Sequence, residues 1–163
     1  MRIAALGIFL TLGLSAQTIS VANLELWDDQ PAKTMAQLWG AAAQNPKSAA
    51  ARIEISYAYL SQNKLQQAEW AARESVAMDP SNAQAQLILG WTLARQHRYT
   101  AETLDCLRRA ADKYPVARLG AADVLAHQGS LSESRAEIEA YLATGDTDYH
   151  RAAETWLKLL ASE

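Results

Sequence analysis

Apolar side chains recur at helical spacing through most of this chain, and short polar joints interrupt them at regular intervals. Ile55, Ala58 and Tyr59 form one such stripe, and Ala68, Ala72 and Val76 form the next. Between them, Gln62-Asn63-Lys64 is a polar turn of the length that joins antiparallel helices. The spacing predicts helix pairs over 47–62 and 65–78, over 82–96 and 99–113, and over 115–127 and 131–143. Gln128-Gly129-Ser130 makes the turn of the third pair. A helix over 31–44 precedes the pairs and reads as the second half of a unit whose first half is missing. A final helix over 148–161 carries Ala152, Trp156, Leu159 and Leu160 on one face, suited to covering the open apolar end of a stack.

The joints repeat. Asn45-Pro46, Asp79-Pro80 and Tyr114-Pro115 close successive segments at intervals of 34 and 35 residues. Proline cannot continue a helix, and it biases the residue before it away from helical geometry. Asp79-Pro80 therefore stops its helix, and Ser81 or Asn82 is placed to cap the next. Pro115 is expected directly at a helix start, where its missing N–H is harmless. Gly90 lies inside a predicted helix and costs about 1 kcal/mol of propensity there. It is tolerated if a neighbouring helix approaches too closely for a side chain. Helix pairs repeating at this period cannot bury their apolar faces alone, so they stack into an array.

The N-terminus follows a different plan. Met1-Arg2 is a short positive region, Ile3 to Leu14 an apolar run, and Ser20-Val21-Ala22 places small residues around a cleavage point. This is the three-part pattern of a secretory leader over 1–22, cut after Ala22. An uncleaved anchor is the alternative, but the run is shorter than the roughly 20 residues a spanning helix needs. The expected organisation is leader 1–22, extended lead-in 23–30 with Trp27 and Asp28-Asp29, and helical array 31–161. The expected location is periplasmic or secreted, with no stable membrane span after cleavage.

The composition narrows the function classes. Half of the 163 residues are hydrophobic, enough for a sizeable core, and the net charge is −3. Loss of Arg2 with the leader would make it one unit more negative, which argues against a nucleic-acid partner. Cys106 is the only cysteine and falls in the stripe with Leu104 and Leu107. It reads as a small buried hydrophobe, with a reactive or intermolecular thiol as the alternative. No cofactor, metal or catalytic motif is indicated. His97, His127 and His150 are remote from any cysteine, and none lies one helical turn from another. Phosphate-cradling glycine loops and Gly-x-Ser-x-Gly are missing. Glu133, Glu137 and Glu139 with Arg135 read as a solvated face, Arg108-Arg109 as an exposed helix end, and Trp39 and Trp70 as packing residues.

The pattern resembles the tetratricopeptide repeat family. In the first unit Ile55-Ser56 stands in the family's Leu-Gly slot, Tyr59 in the aromatic slot, and Ala68 and Ala72 at the small packing positions, with Ser75 the third small residue and Pro80 the closing proline. The second unit matches with Leu89-Gly90, Leu93, Tyr99 and Pro115. The third keeps Ala121-Ala122, Leu125 and Gly129 but lacks a closing proline. The resemblance covers roughly 31–143. It implies an all-α solenoid of three helix pairs with an N-terminal half-repeat and a C-terminal capping helix, a scaffold for a protein or peptide partner and not an enzyme.

The first helix of each unit lines the concave face in this family. Carried over, the groove takes Ile53, Tyr57 and Leu60 from the first unit. The second supplies Gln84, Leu87, Trp91 and Arg95, and the third Leu119, Asp123 and His127. Tyr57 and Trp91 fall at equivalent places one repeat apart, off the stripe that packs each helix on its partner. Aromatic anchors beside an arginine are the residue types that dominate interface energetics. They stand where the family's carboxylate-clamp version would want Asn, so recognition of a chaperone tail is not expected. The alternative is a structural or self-associating module, a homo-oligomer or a groove filled by the chain's own termini.

Overall fold

The computed structural model describes residues 33–160 and the backbone of two short strands ahead of them, β1 (Ile8–Leu10) and β2 (Gln17–Ile19). The strands pair antiparallel, Ile8 opposite Ile19. They fall within the segment read as a leader. The lead-in expected over 23–30 lies outside the described residues.

From residue 33 onward the described chain is all-α: α1 (Met35–Gln44), α2 (Ala49–Ser61), α3 (Leu65–Met78), α4 (Ala83–Arg95), α5 (Ala101–Ala110), α6 (Ala117–His127), α7 (Leu131–Ala143) and α8 (His150–Leu160). It forms a solenoid of the three expected helix pairs, α2–α3, α4–α5 and α6–α7. The starts of the helices follow local chemistry. Thr34 opens α1 with a capping box: its Oγ1 accepts from the Gln37 N–H at 3.3 Å, and its own N–H donates to Gln37 Oε1 at 2.8 Å. Asn82 caps α4 by accepting from the N–H groups of Gln84 and Ala85. Pro115 does not open α6 directly. The Ala117 N–H bonds the Tyr114 carbonyl, so the proline sits in a turn two residues ahead of the helix. Correspondingly α5 ends at Ala110, short of the 113 that periodicity suggests.

Within each pair the turn has one form. Asn63, His97 and Gly129 occupy equivalent positions with φ of 57°, 58° and 80°. In each, the following N–H reaches back to the carbonyl five residues earlier, Lys64 to Tyr59, Arg98 to Leu93 and Ser130 to Leu125, at 2.9 to 3.0 Å. This satisfies carbonyls that the helix end leaves bare.

Close packing inside the pairs depends on small residues. Ser56 donates to the Ala68 carbonyl and Ser134 to the Ala122 carbonyl, both at 2.8 Å, tying the two helices of a pair backbone to hydroxyl. At Gly90 a Cβ would stand 2.8 Å from Leu107 Cγ, so α5 approaches α4 more closely than any side chain there allows. Cys106 is buried beside that contact, as expected, and burial pushes its thiol up to about 11.

The units then stack as two layers. First helices α2, α4 and α6 lie close against one another in succession, whereas no comparable approach joins α3 to α5 or α5 to α7. Elements on the inside of a curved stack converge, so the first helices form the concave layer. The second helices are joined by charge. Glu69 of α3 binds Arg98 at 2.7 Å and Arg73 at 2.9 Å, and both arginines also pair with Glu102 of α5. Glu137, expected on a solvated face, is instead buried. It accepts from Arg108 Nε of α5 at 2.9 Å and from Arg118 Nη1 of α6 at 3.2 Å. Charges from three successive helices meet there, which no single-helix pattern reveals. At the C-terminal end, α8 inserts Trp156 among Leu119, Ala126, Ile138 and Tyr141 and closes the core.

The concave face as candidate functional site

Gln84, Leu87, Trp91 and Arg95 are spaced to share one face of α4. The two ends of that face, Gln84 and Arg95, are half-buried, while Leu87 and Trp91 in its middle are sealed, Trp91 at 2% exposure. The expectation of a solvent-facing aromatic pair therefore fails at Trp91. Its ring leans onto α6, with Nε1 near Gly120, and packs with Leu107, Ala117, Ala121 and Val124. Gly120 provides the flat place that a ring of this size requires. Tyr57 remains half-buried and packs against the cluster of Ile53, Ala72, Ile88 and Leu89.

The other carried-over residues are used within the array. Arg95 donates to the Leu60 carbonyl at 3.1 Å and to Asn63 Oδ1 at 3.2 Å, so it grips the turn of the preceding unit. Gln96 and Gln128 repeat that device, donating to the carbonyls of Leu65 and Tyr99. Ile53 and Leu60 are buried in α2, and Leu119 belongs to the C-terminal core around Trp156.

Asp123 stands at the place in α6 that Trp91 holds in α4. It is buried, and His127 Nδ1 lies 3.4 Å from its Oδ1 and 2.9 Å from its backbone carbonyl. The His127 ring stacks on Tyr99 with centroids 3.8 Å apart and planes 12° from parallel. Hydrogen bonding to Asp123 holds His127 above the ordinary imidazole range, against burial. Burial pushes the Asp123 carboxyl up more than His127 pulls it down. Burial, helped by the Asp123 charge, raises the Tyr99 phenol to about 12. His127 is the charged partner nearest the Asp123 carboxyl, whose buried Oδ1 is otherwise without a hydrogen bond among the described residues. Among the described residues no group of His, Cys, Asp and Glu is placed to hold a metal ion. No described helix is long and apolar enough to cross a membrane.

One aromatic feature lies outside the groove that the sequence suggested. Trp39 of α1 and Trp70 of α3 stack at 5.8 Å, and the Arg52 guanidinium sits 5.4 Å from the Trp39 ring. Trp70 is 48% exposed, so this inter-unit contact is only half a core. Its sequence signal was two tryptophans 31 residues apart, near the repeat period.

Repeated pairs, a common left-handed turn and a converging first-helix layer agree with the comparison to known families. The tetratricopeptide repeat model matches residues 53–115 and 102–149, more than half of the chain. The chain belongs to the tetratricopeptide repeat family. Tetratricopeptide repeats generally mediate protein–protein interaction and typically serve as non-enzymatic scaffolds. The matched span begins inside α2, so α1 precedes it as the half-repeat. Comparison with curated proteins finds no match.

Proposed function

We propose that this tetratricopeptide protein is an interaction scaffold of the bacterial envelope that holds an apolar segment of a partner protein on its concave face. The observation that carries the reading is α4. Ala85 to Ala94 are ten successive residues, all buried, in which only Gln86 and Thr92 are polar. Both of these are satisfied by carbonyls, those of Pro80 and Ile88. A helix that is apolar all round needs cover on every side. Packing in the array supplies that cover, so the concave layer offers a partner its half-buried edge residues Tyr57, Gln84 and Arg95 around an apolar, rigid support. The leader pattern at the N-terminus supports the envelope location, and the family supports a protein partner.

A pull-down from envelope extract tests this. Tyr57→Arg places charge on the half-buried edge of the groove without removing a core ring. Loss of one specific partner, with helical circular dichroism unchanged, is the expected result. Undiminished recovery of every partner overturns the reading.

A further inference from the structure

Arg95 of α4 and His127 of α6 hold equivalent places, each two residues before the left-handed turn residue of its pair, His97 and Gly129. Arg95 reaches back to the turn of the first unit, at the Leu60 carbonyl and Asn63. His127 reaches back to the turn of the second, where its ring lies on Tyr99 with centroids 3.8 Å apart. Gln128 fastens the same joint by donating to the Tyr99 carbonyl at 3.0 Å. The first joint therefore uses a side chain that is always charged. The second uses one whose charge changes near neutral pH.

Asp123 decides what that charge does. Its side chain is 7% exposed, and its Oδ1 has no hydrogen bond among the described residues, so His127 Nδ1 at 3.4 Å is the group that compensates it. A neutral imidazole still donates to the Asp123 carbonyl at 2.9 Å, but it leaves the carboxylate as a buried ion without a counter-charge. A charged imidazole also gains over the face of Tyr99 and at the C-terminal end of α6. His97 faces the cluster from the turn, with Nδ1 3.2 Å from the Tyr99 hydroxyl, and its charge also favours the carboxylate. The other charges on elements packed against α6 are engaged elsewhere. Glu102 of α5 pairs with Arg73 and Arg98, and Asp105 with Arg109. Arg108 of α5 and Arg118 of α6 meet Glu137 of α7, Glu133 pairs with Arg108, and His150 of α8 pairs with Glu154. None of these bonds His127 or Asp123, nor do Arg135 and Glu139 of α7 or Arg151 and Lys158 of α8. Gln17, Thr18 and Ile19 of β2 do not titrate.

We propose that His127 is a protonation-dependent latch between the second and third units, which holds α6–α8 to the Tyr99 turn when charged and lets them loosen when neutral. Hydrogen bonding to Asp123 holds His127 above the ordinary imidazole range. Its contribution to stability is therefore complete below about pH 6.5 and is lost as the pH rises through the higher value. Burial raises the Asp123 carboxyl as well. That also makes stability fall with rising pH, beginning lower, near the ordinary carboxylate range. The latch acts within the chain and does not depend on what docks on the concave layer.

Hydrogen exchange of the full chain at about pH 6 and about pH 8 tests it, with rates converted to protection factors so that the pH dependence of intrinsic exchange cancels. Protection should fall severalfold at the higher pH in α6, α7 and α8, while α2 and α3 keep theirs. His127→Gln should show the lower protection at both pH values, and His97→Gln should keep the fall. Asp123→Asn should lose the fall, since no buried ion then needs compensation. An equal fall in wild type and His127→Gln overturns the proposal, as does a fall shared by α2 and α3. A titration of the His127 ring by NMR in the wild-type chain needs no variant to fold. A midpoint above the ordinary imidazole value is expected, and one at or below it overturns the proposal.

Discussion

Gly90 shows how one missing side chain sets the distance between two helices. The residue gives up about 1 kcal/mol of helix propensity relative to alanine. In return Leu107, itself fully buried, drops onto the α4 backbone beside Cys106. Gly90→Ala should therefore destabilise the protein by about 1–3 kcal/mol despite the better helix former, because overpacking outweighs propensity where the neighbour cannot retreat. Urea unfolding followed by circular dichroism measures it. Truncating Leu107 to Ala should cost less in the Gly90→Ala background than in wild type, since the two residues share one space. An additive pair of effects would show that the contact is not what fixes Gly90. The close approach was legible in the sequence as a glycine inside an apolar helix, but its partner was not.

At the level of elements, the array is fastened by two different means. First helices pack by apolar surface, whereas second helices α3, α5 and α7 are linked through charges. Glu137 is the strongest of these links because its carboxylate is buried while serving two arginines from two helices. Arg108 and Arg118 keep access to water, so losing the link costs less than stranding a buried ion. Glu137→Ala should lower stability by about 1–2 kcal/mol, between an exposed pair and a buried charged hydrogen bond. Glu139→Ala, on the exposed side of α7, should be near neutral in the same denaturation series. Equal effects at the two positions would return Glu137 to the solvated face that its sequence neighbours suggest.

For the whole molecule, stability is close to a sum over neighbouring units. The end unit depends on α8, whose Trp156 is 1% exposed and touches residues of α6 and α7. Trp156→Ala should cost about 3–5 kcal/mol, the range for emptying a core site of a large aromatic. The loss should be local. Hydrogen exchange should show α7 and α8 opening first, while α2 and α3 keep their protection. Uniform loss of protection along the chain would show that the solenoid behaves as one cooperative block.

The sequence by itself determined the eight helices, the pairing, the family and the capping role of Trp156. These depend on apolar periodicity, prolines at a fixed interval and turn residues, all of which act over a few residues. It also named Leu87, Trp91 and Arg95 as residues of one face, since helical spacing is a local property. Only the tertiary structure decided what that face meets. Trp91 lies on Gly120, Arg95 holds the Leu60 carbonyl and Asn63, and His127 stacks on Tyr99. Each of these contacts joins neighbouring units across the stack. The angle at which one unit packs on the next sets such contacts, and no pattern within a single helix encodes that angle.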